Sequence, residues 1–431
     1  MYYFKKLICL FILLVVFCPA DYSFSQTDMV NQEEDYKNLE IFTDVLALIR
    51  SSYVEDVDNR ELVYGAIRGM LETLDPHSSF LTPEMYEDMQ ADTHGEFGGL
   101  GIEITIKDNT LVVVSPIEDT PAYTAGIKAG DRIVKINGQL TQDLEIMQAV
   151  RLMRGPKGEP VTLAIARQGK KELLVFTLIR DLIQLQSVKS RVIEENYGYV
   201  RVSQFQERTG RDLQEHLNRL REKNSSTLKG VILDLRNNPG GLLDQAVAVA
   251  DLFLVDGLIV YTEGRDAEAQ LKFSAVQTDT EPGYPMVVLI NGGSASAAEI
   301  VAGALQDHGR AIILGEQSFG KGSVQTIIPL GDGSGLRLTT ARYFTPSGRS
   351  IQARGITPDI IASQKFLPPQ GETQQMREAD LENHFDALPE NQVKMKDEDE
   401  QNSEDSDDYQ LLRALELLKG FEILKGSNRA A

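Results

Sequence analysis

Cysteine is nearly missing from this chain: only Cys9 and Cys18 occur among 431 residues. Both fall in an N-terminal stretch that reads as a removable leader, so the mature chain is expected to hold no disulfide, no thiolate metal site and no cysteine nucleophile. Positive charge is scarce as well. Lys and Arg total 43 against 64 Asp and Glu, a net charge of −21, which argues against general nucleic-acid binding through a basic surface. Long apolar runs are lacking. The uncharged run 7–17 holds 11 residues, short of the roughly 20 a spanning helix needs, and no second run is long enough to cross a membrane. The five histidines, His77, His94, His216, His308 and His384, show no partner pattern. The acidic residues show no metal-ligand spacing, so no metal and no cofactor are expected.

What is present divides the chain. Lys5 and Lys6 ahead of the apolar run, then Ser23-Phe24-Ser25, form an export signal over 1–25 with cleavage before Gln26. The expected location is extracytoplasmic and periplasmic; the alternative is an uncleaved membrane anchor. Residues 36–92 carry apolar residues at helical spacing, among them Leu39, Phe42, Val45 and Ile49, with Thr82-Pro83 as a cap and first helical residue. Residues 93–181 are β-rich, and 182–365 alternate buried strands with helices. Segment 366–408 reads as an acidic disordered linker: between 372 and 408 it has 14 acidic and 3 basic residues. A helix follows over 409–426. The expected fold class is multidomain α+β: a helical N-terminal region, a β-rich domain and an α/β core.

Two loops can carry chemistry. In Asn291-Gly292-Gly293-Ser294-Ala295-Ser296-Ala297-Ala298-Glu299, an apolar strand runs into a glycine turn and small residues open a helix. A serine in such a first turn sits beside unpaired N–H groups, and the Ala297 N–H can face a developing oxyanion. The same residues could serve only as a cap. Gly315 to Lys321 nearly spells a phosphate-binding loop, but Gly322 replaces the magnesium-binding Ser or Thr and β-like sequence follows. A lysine between two glycines can instead be buried and lose its proton, becoming a general base; a surface turn is the other reading. The sequence also leaves a Ser-His-Asp triad open.

Ser294-Ala295-Ser296-Ala297-Ala298-Glu299, Phe319-Gly320-Lys321-Gly322 twenty-five residues after Ser296, and Gln325 resemble the signature of carboxyl-terminal processing (tail-specific) serine proteases. The resemblance implies a serine endopeptidase with Ser296 as nucleophile, Lys321 as general base and Gln325 orienting the lysine, acting through an acyl-enzyme. The loop Arg236-Asn237-Asn238-Pro239-Gly240-Gly241 is similar to the family loop that supplies an oxyanion-hole N–H, here from Gly241 beside Ala297. Ala298 stands where many relatives have serine. Gly99-Leu100-Gly101-Ile102 resembles the carboxylate-binding loop of a PDZ domain, so 93–181 is expected to be that domain and 182–365 the protease core. Leu100 and Ile102 would help form the terminal side-chain pocket, with the helix at 143–153 as groove wall. Arg154 resembles an arginine that couples peptide binding to catalysis. The implied partners are protein C-terminal tails, with an adaptor and a homodimer as further possibilities, and no nucleic acid. Membrane contact is expected only through the signal or an uncleaved anchor. A catalytically dead PDZ scaffold is the rival from another functional class.

Overall fold

The computed structural model describes residues 26–427 except 108, 143, 195, 224–227, 266–269, 277–279, 364–376, 382 and 386–407. The leader expected over 1–25 lies outside the described residues, as does most of the acidic segment. The chain forms two compact units, residues 1–69 and 70–431. In the first, helix Gln26–Ser52 leaves Leu39, Phe42 and Val45 exposed. The helix Asn59–Glu72 opens where the Asp58 carboxylate accepts from the Arg60 N–H at 2.7 Å.

In the second unit, Thr82 caps helix Pro83–His94 by accepting from the Met85 N–H, with Pro83 in the first turn. Gly95, at φ 75°, closes the helix in the left-handed region. The sheet of the β-rich domain has the order Ile102–Lys107, Thr110–Pro116, Arg132–Ile136, Pro160–Ala166, Leu174–Ile179. Val161, Leu163 and Ile165 alternate inward to a core with Leu111, Val113, Ile133 and Ile136, as the two-residue period of a strand requires. Strand Ile102–Lys107 is an edge: it pairs only with Thr110–Pro116, and helix Ile146–Met153 packs nearby. The antiparallel pair Glu96–Gly99 and Asp181–Gln184 brings the two ends of this domain together.

The α/β core is a six-stranded sheet ordered Val188–Ile193, Tyr197–Val202, Gly230–Asp234, Met286–Ile290, Ile312–Gly315, Ile360–Ile361, parallel after its first pair. Its central strands are buried on both faces, which explains the apolar runs 231–233 and 286–290; the buried Asp234 ends the first. Val231, Leu233, Val288 and Ile290 face a core shared with helices Thr209–Lys223, Leu243–Asp251 and Ala297–Asp307. Ile232, Val287, Leu289 and Leu314 face the other way, onto Ala414, Leu415 and Leu418 of helix Tyr409–Ser427. The C-terminal helix therefore packs on the opposite side of the sheet, against strands Gly230–Asp234, Met286–Ile290 and Ile312–Gly315. A second sheet joins Ser79–Leu81, Gly335–Phe344, Leu258–Gly264 and Leu271–Ser274, with Ser323–Pro329 paired to Gly335–Phe344.

The acidic segment is not a free tether where it is described. Glu378, in the single turn Glu378–Asp380, is fully buried. At the far end Asp408 takes two hydrogen bonds from Arg236, at 2.7 and 2.8 Å. Low apolar content hid these contacts, because each is made by a carboxylate that finds a buried polar partner.

Candidate active site

Both chemistry-bearing loops leave the carboxyl ends of parallel strands, where open α/β sheets place their sites. Gly230–Asp234 leads into the Asn237–Gly241 loop, and Met286–Ile290 into the Ser296 turn. Asn291 pins one to the other: its Oδ1 accepts from the Asn237 N–H at 2.9 Å and its Nδ2 donates to Asn237 Oδ1 at 3.0 Å. Ser294 is used up structurally, since its hydroxyl donates to the Leu235 carbonyl at 2.8 Å. The Ala295 N–H donates to the Asn238 carbonyl at 2.9 Å.

Ser296 follows at φ 56°, ψ −115°, a backbone state that costs a non-glycine residue about 1–3 kcal/mol and needs surrounding contacts to persist. Those contacts converge on Glu299, which is fully buried. Its Oε2 accepts from the Ser296 N–H at 2.7 Å and the Lys321 N–H at 2.9 Å. Its Oε1 accepts from the Ser318 hydroxyl at 2.5 Å and the Gly320 N–H at 2.7 Å. Burial pushes this carboxyl up to about 7, against the pull of those four donors. One carboxylate thus ties the serine turn to the lysine loop.

The side chains are less closely joined than the backbones. Ser296 Oγ lies 2.9 Å from the Tyr343 hydroxyl, a buried phenol that desolvation raises to about 12. Lys321 is half-buried, and its ammonium makes no hydrogen bond to Ser296 among the described residues. Burial lowers the lysine pKa and the Arg337 charge adds to this, while Glu378, Glu299 and Asp75 oppose it. Gln325 makes no hydrogen bond to the lysine among the described residues: its Nε2 donates to Ser323 Oγ at 2.9 Å. Gly241 and Ala297 keep N–H groups that no acceptor takes among the described residues. Gly241 has φ 140°, and Gly240 lies so near Ser296 that a Cβ on it would come within 2.8 Å of the serine Cβ.

The histidines are occupied elsewhere. His77 meets Glu378 at 2.7 Å, His94 meets Glu207 at 3.0 Å and His216 meets Ser190 at 2.7 Å. His308 donates to the Leu258 carbonyl and His384 to that of Leu381. No cluster of His, Cys, Asp and Glu suited to a metal occurs among the described residues. Lys321 leads into strand Ser323–Pro329 rather than a helix, which removes the phosphate-loop geometry.

In the β-rich domain, Gly99 ends a strand and Gly101 has φ 74°. Leu100 is 3% exposed and belongs to the domain core, while Ile102 is partly buried against that core. Helix Ile146–Met153 is shorter than the expected 143–153, and Asp143 lies outside the described residues. Arg154, just beyond it, donates to Asp88 Oδ1 at 2.9 Å and lies 4.5 Å over the Phe97 ring. It therefore joins the end of the groove helix to helix Pro83–His94.

Residues 196–362 match Peptidase family S41, residues 112–167 match the PDZ domain, and residues 20–85 match the activating protease CtpB N-terminal domain. The chain is 49% identical to the carboxy-terminal-processing protease of Bartonella bacilliformis over 399 residues, covering 90% of each. This chain belongs to the carboxy-terminal-processing protease family. It is a serine-type peptidase with a helical N-terminal region, a PDZ domain and an α/β core of the S41 type. The carboxyl-terminal-processing protease of Synechocystis is 41% identical, over 74% of this chain and 76% of its own. Among solved structures, the photosystem II D1 C-terminal processing protease is 33% identical, covers 73% of this chain and 86% of its own, and has a TM-score of 0.45.

Sequence reasoning quoted Glu299 as part of a signature without giving it a task. Its position three residues after the cap is the capping-box position, which was the available signal. Tyr343, His77 and Glu378 gave none, since each meets its partner across a long sequence separation.

Proposed function

We propose that this chain is an exported endopeptidase that captures protein C-terminal tails in its PDZ domain and cuts peptide bonds with a Ser296–Lys321 dyad. The observation that carries this reading is the Glu299 carboxylate, which holds the backbone N–H groups of both residues on one oxygen. Lys321, its proton loosened by burial, takes the Ser296 proton as the serine oxygen attacks the substrate carbonyl. The Gly241 and Ala297 N–H groups receive the oxyanion. The tetrahedral intermediate expels the amine, which takes the proton back from the lysine. Water activated by the same lysine then hydrolyses the acyl-enzyme. Gln325 serves this step through Ser323 and the strand after the lysine.

The present geometry is a resting one under this reading, because the serine hydroxyl is engaged by Tyr343. A tail would add as a strand to the edge Ile102–Lys107, with its carboxylate at the Gly99–Ile102 loop. Arg154, bonded to Asp88, would pass that binding on towards the core. The chain is divided accordingly into a leader (1–25), helical region (36–92), PDZ domain (93–181), core (182–365), acidic segment (366–408) and terminal helix (409–426). Periplasmic export, adaptor binding and a homodimer belong to the same proposal.

The test is mass spectrometry of peptides cut from a denatured protein by wild type and by Ser296→Ala, with and without a tail-mimicking peptide, alongside a serine-directed phosphonate probe. Labelling at Ser296 and loss of all cuts in the variant are expected. Tail binding without hydrolysis by the wild type would establish the scaffold reading in its place.

A further inference from the structure

Residues 377–381 form a short strap over the lysine loop, anchored by a carboxylate to which the mechanism above gives no role. Glu378 is fully buried. Its carboxylate meets His77 Nε2 at 2.7 and 2.8 Å and accepts from Gln352 Nε2 at 2.7 Å. The Glu378 N–H donates to the Phe319 carbonyl at 3.2 Å, and Gln352 Oε1 accepts from the Gly322 N–H at 2.9 Å. Directly at Phe319 and through Gln352 at Gly322, one buried residue grips the loop on both sides of Lys321. Arg377 adds a further tie, donating to Gln317 Oε1 at 3.3 Å.

We propose that Glu378 is a positioning residue for Lys321, fixing the loop that carries the lysine and setting the charge beside it. This inference rests on the Ser296–Lys321 reading. A carboxylate without function would be an expensive thing to bury, and a buried ion pair is no dependable source of stability. The groups acting on the lysine come from every side: Arg337 on the strand Gly335–Phe344, Glu299 on the helix after Ser296, Asp75 ahead of strand Ser79–Leu81, and Glu378 on the strap. His77 faces Glu378 itself. Glu378 and the other two carboxylates favour the ammonium, and Arg337 disfavours it, in line with burial.

The experiment uses the full chain carrying Glu378→Gln or Glu378→Asp, with Ser296→Ala and Lys321→Ala as controls. It records kcat and KM on a tail peptide across pH, the rate of phosphonate labelling at Ser296, and thermal melting. Glu378→Gln removes a negative charge, so the lysine gives up its proton more readily and the acid limb of kcat/KM moves to lower pH. The plateau kcat falls about tenfold with KM unchanged, the scale seen for groups that orient a functional side chain. Glu378→Asp keeps the charge and leaves the acid limb in place, but its shorter reach costs part of kcat and of the labelling rate. An unmoved acid limb in a folded Glu378→Gln enzyme overturns the proposal, whether or not kcat falls. If that variant does not fold, Glu378→Asp decides: wild-type kcat overturns the proposal, and lowered kcat with lowered labelling supports it. Full activity in either control defeats the dyad itself, whereas inactive controls beside a wild-type-like Glu378→Gln defeat the strap alone.

Discussion

Replacing Gly241 with alanine tests the oxyanion assignment at a position with no room for a side chain. A Cβ at this position would lie 2.1 Å from the Phe205 carbonyl oxygen, and the residue sits at φ 140°. The clash is with backbone, so the loop must move. The strained dihedral alone costs about 1–3 kcal/mol. Moving the loop also disturbs two hydrogen bonds, Phe205 N–H to Gly240 O and Leu242 N–H to Phe205 O, both 2.9 Å, at about 0.5–1.5 kcal/mol each. The total is a destabilisation of about 2–6 kcal/mol, readable by urea unfolding. For catalysis, a displaced Gly241 N–H removes one of two oxyanion donors, and the expected loss in kcat is about 100- to 1000-fold. KM on a tail peptide should hold, because tail binding is assigned to a different domain. Steady-state kinetics corrected for the folded fraction make the comparison. Wild-type kcat in folded Gly241→Ala would take the oxyanion role away from this residue.

Ser296→Ala should fold and lose cleavage, whereas retained cutting would move the nucleophile elsewhere. Lys321→Arg should be equally inactive because guanidinium keeps its proton; product formation above the Ser296→Ala background counts against the lysine. The base must be neutral, so kcat/KM should rise with pH through a midpoint below the ordinary lysine range, as burial dictates; a pH-independent profile contradicts this. Glu299→Gln gives up the anion that accepts from four donors and leaves at least one buried N–H unmet, for about 1–3 kcal/mol in urea unfolding. Arg236→Ala takes two side-chain donors from the fully buried Asp234, which keeps Tyr199, Arg201 and the backbone N–H of residue 236, and releases Asp408, and a loss of about 1–3 kcal/mol should follow; an unchanged denaturation midpoint would contradict the pairing.

Much of this was legible before any coordinates. The apolar runs 231–233 and 287–290 become central strands, because strands buried on both faces carry apolar residues at successive positions. Thr82-Pro83 starts a helix as its chemistry requires. The helix after Ser296 begins at Ala297, since Ser294 and Ala295 spend their polar groups on the neighbouring loop. Apolarity near a groove does not say how deeply a side chain is buried: Leu100 lies in the domain core and Ile102 only partly so. The acidic segment was misjudged in part because composition averages over the few residues that dock.

Sequence by itself determined the family, the division into helical, PDZ and α/β parts, and the residue types available for catalysis, since these follow from local pattern and short motifs. Tertiary structure alone decided which groups meet. It set the Ser296 hydroxyl against Tyr343, the backbones of Ser296 and Lys321 on one Glu299 oxygen, and Glu378 between His77 and Gln352. Such contacts join residues tens to hundreds of positions apart, and their cost or benefit depends on burial, which only the folded chain creates.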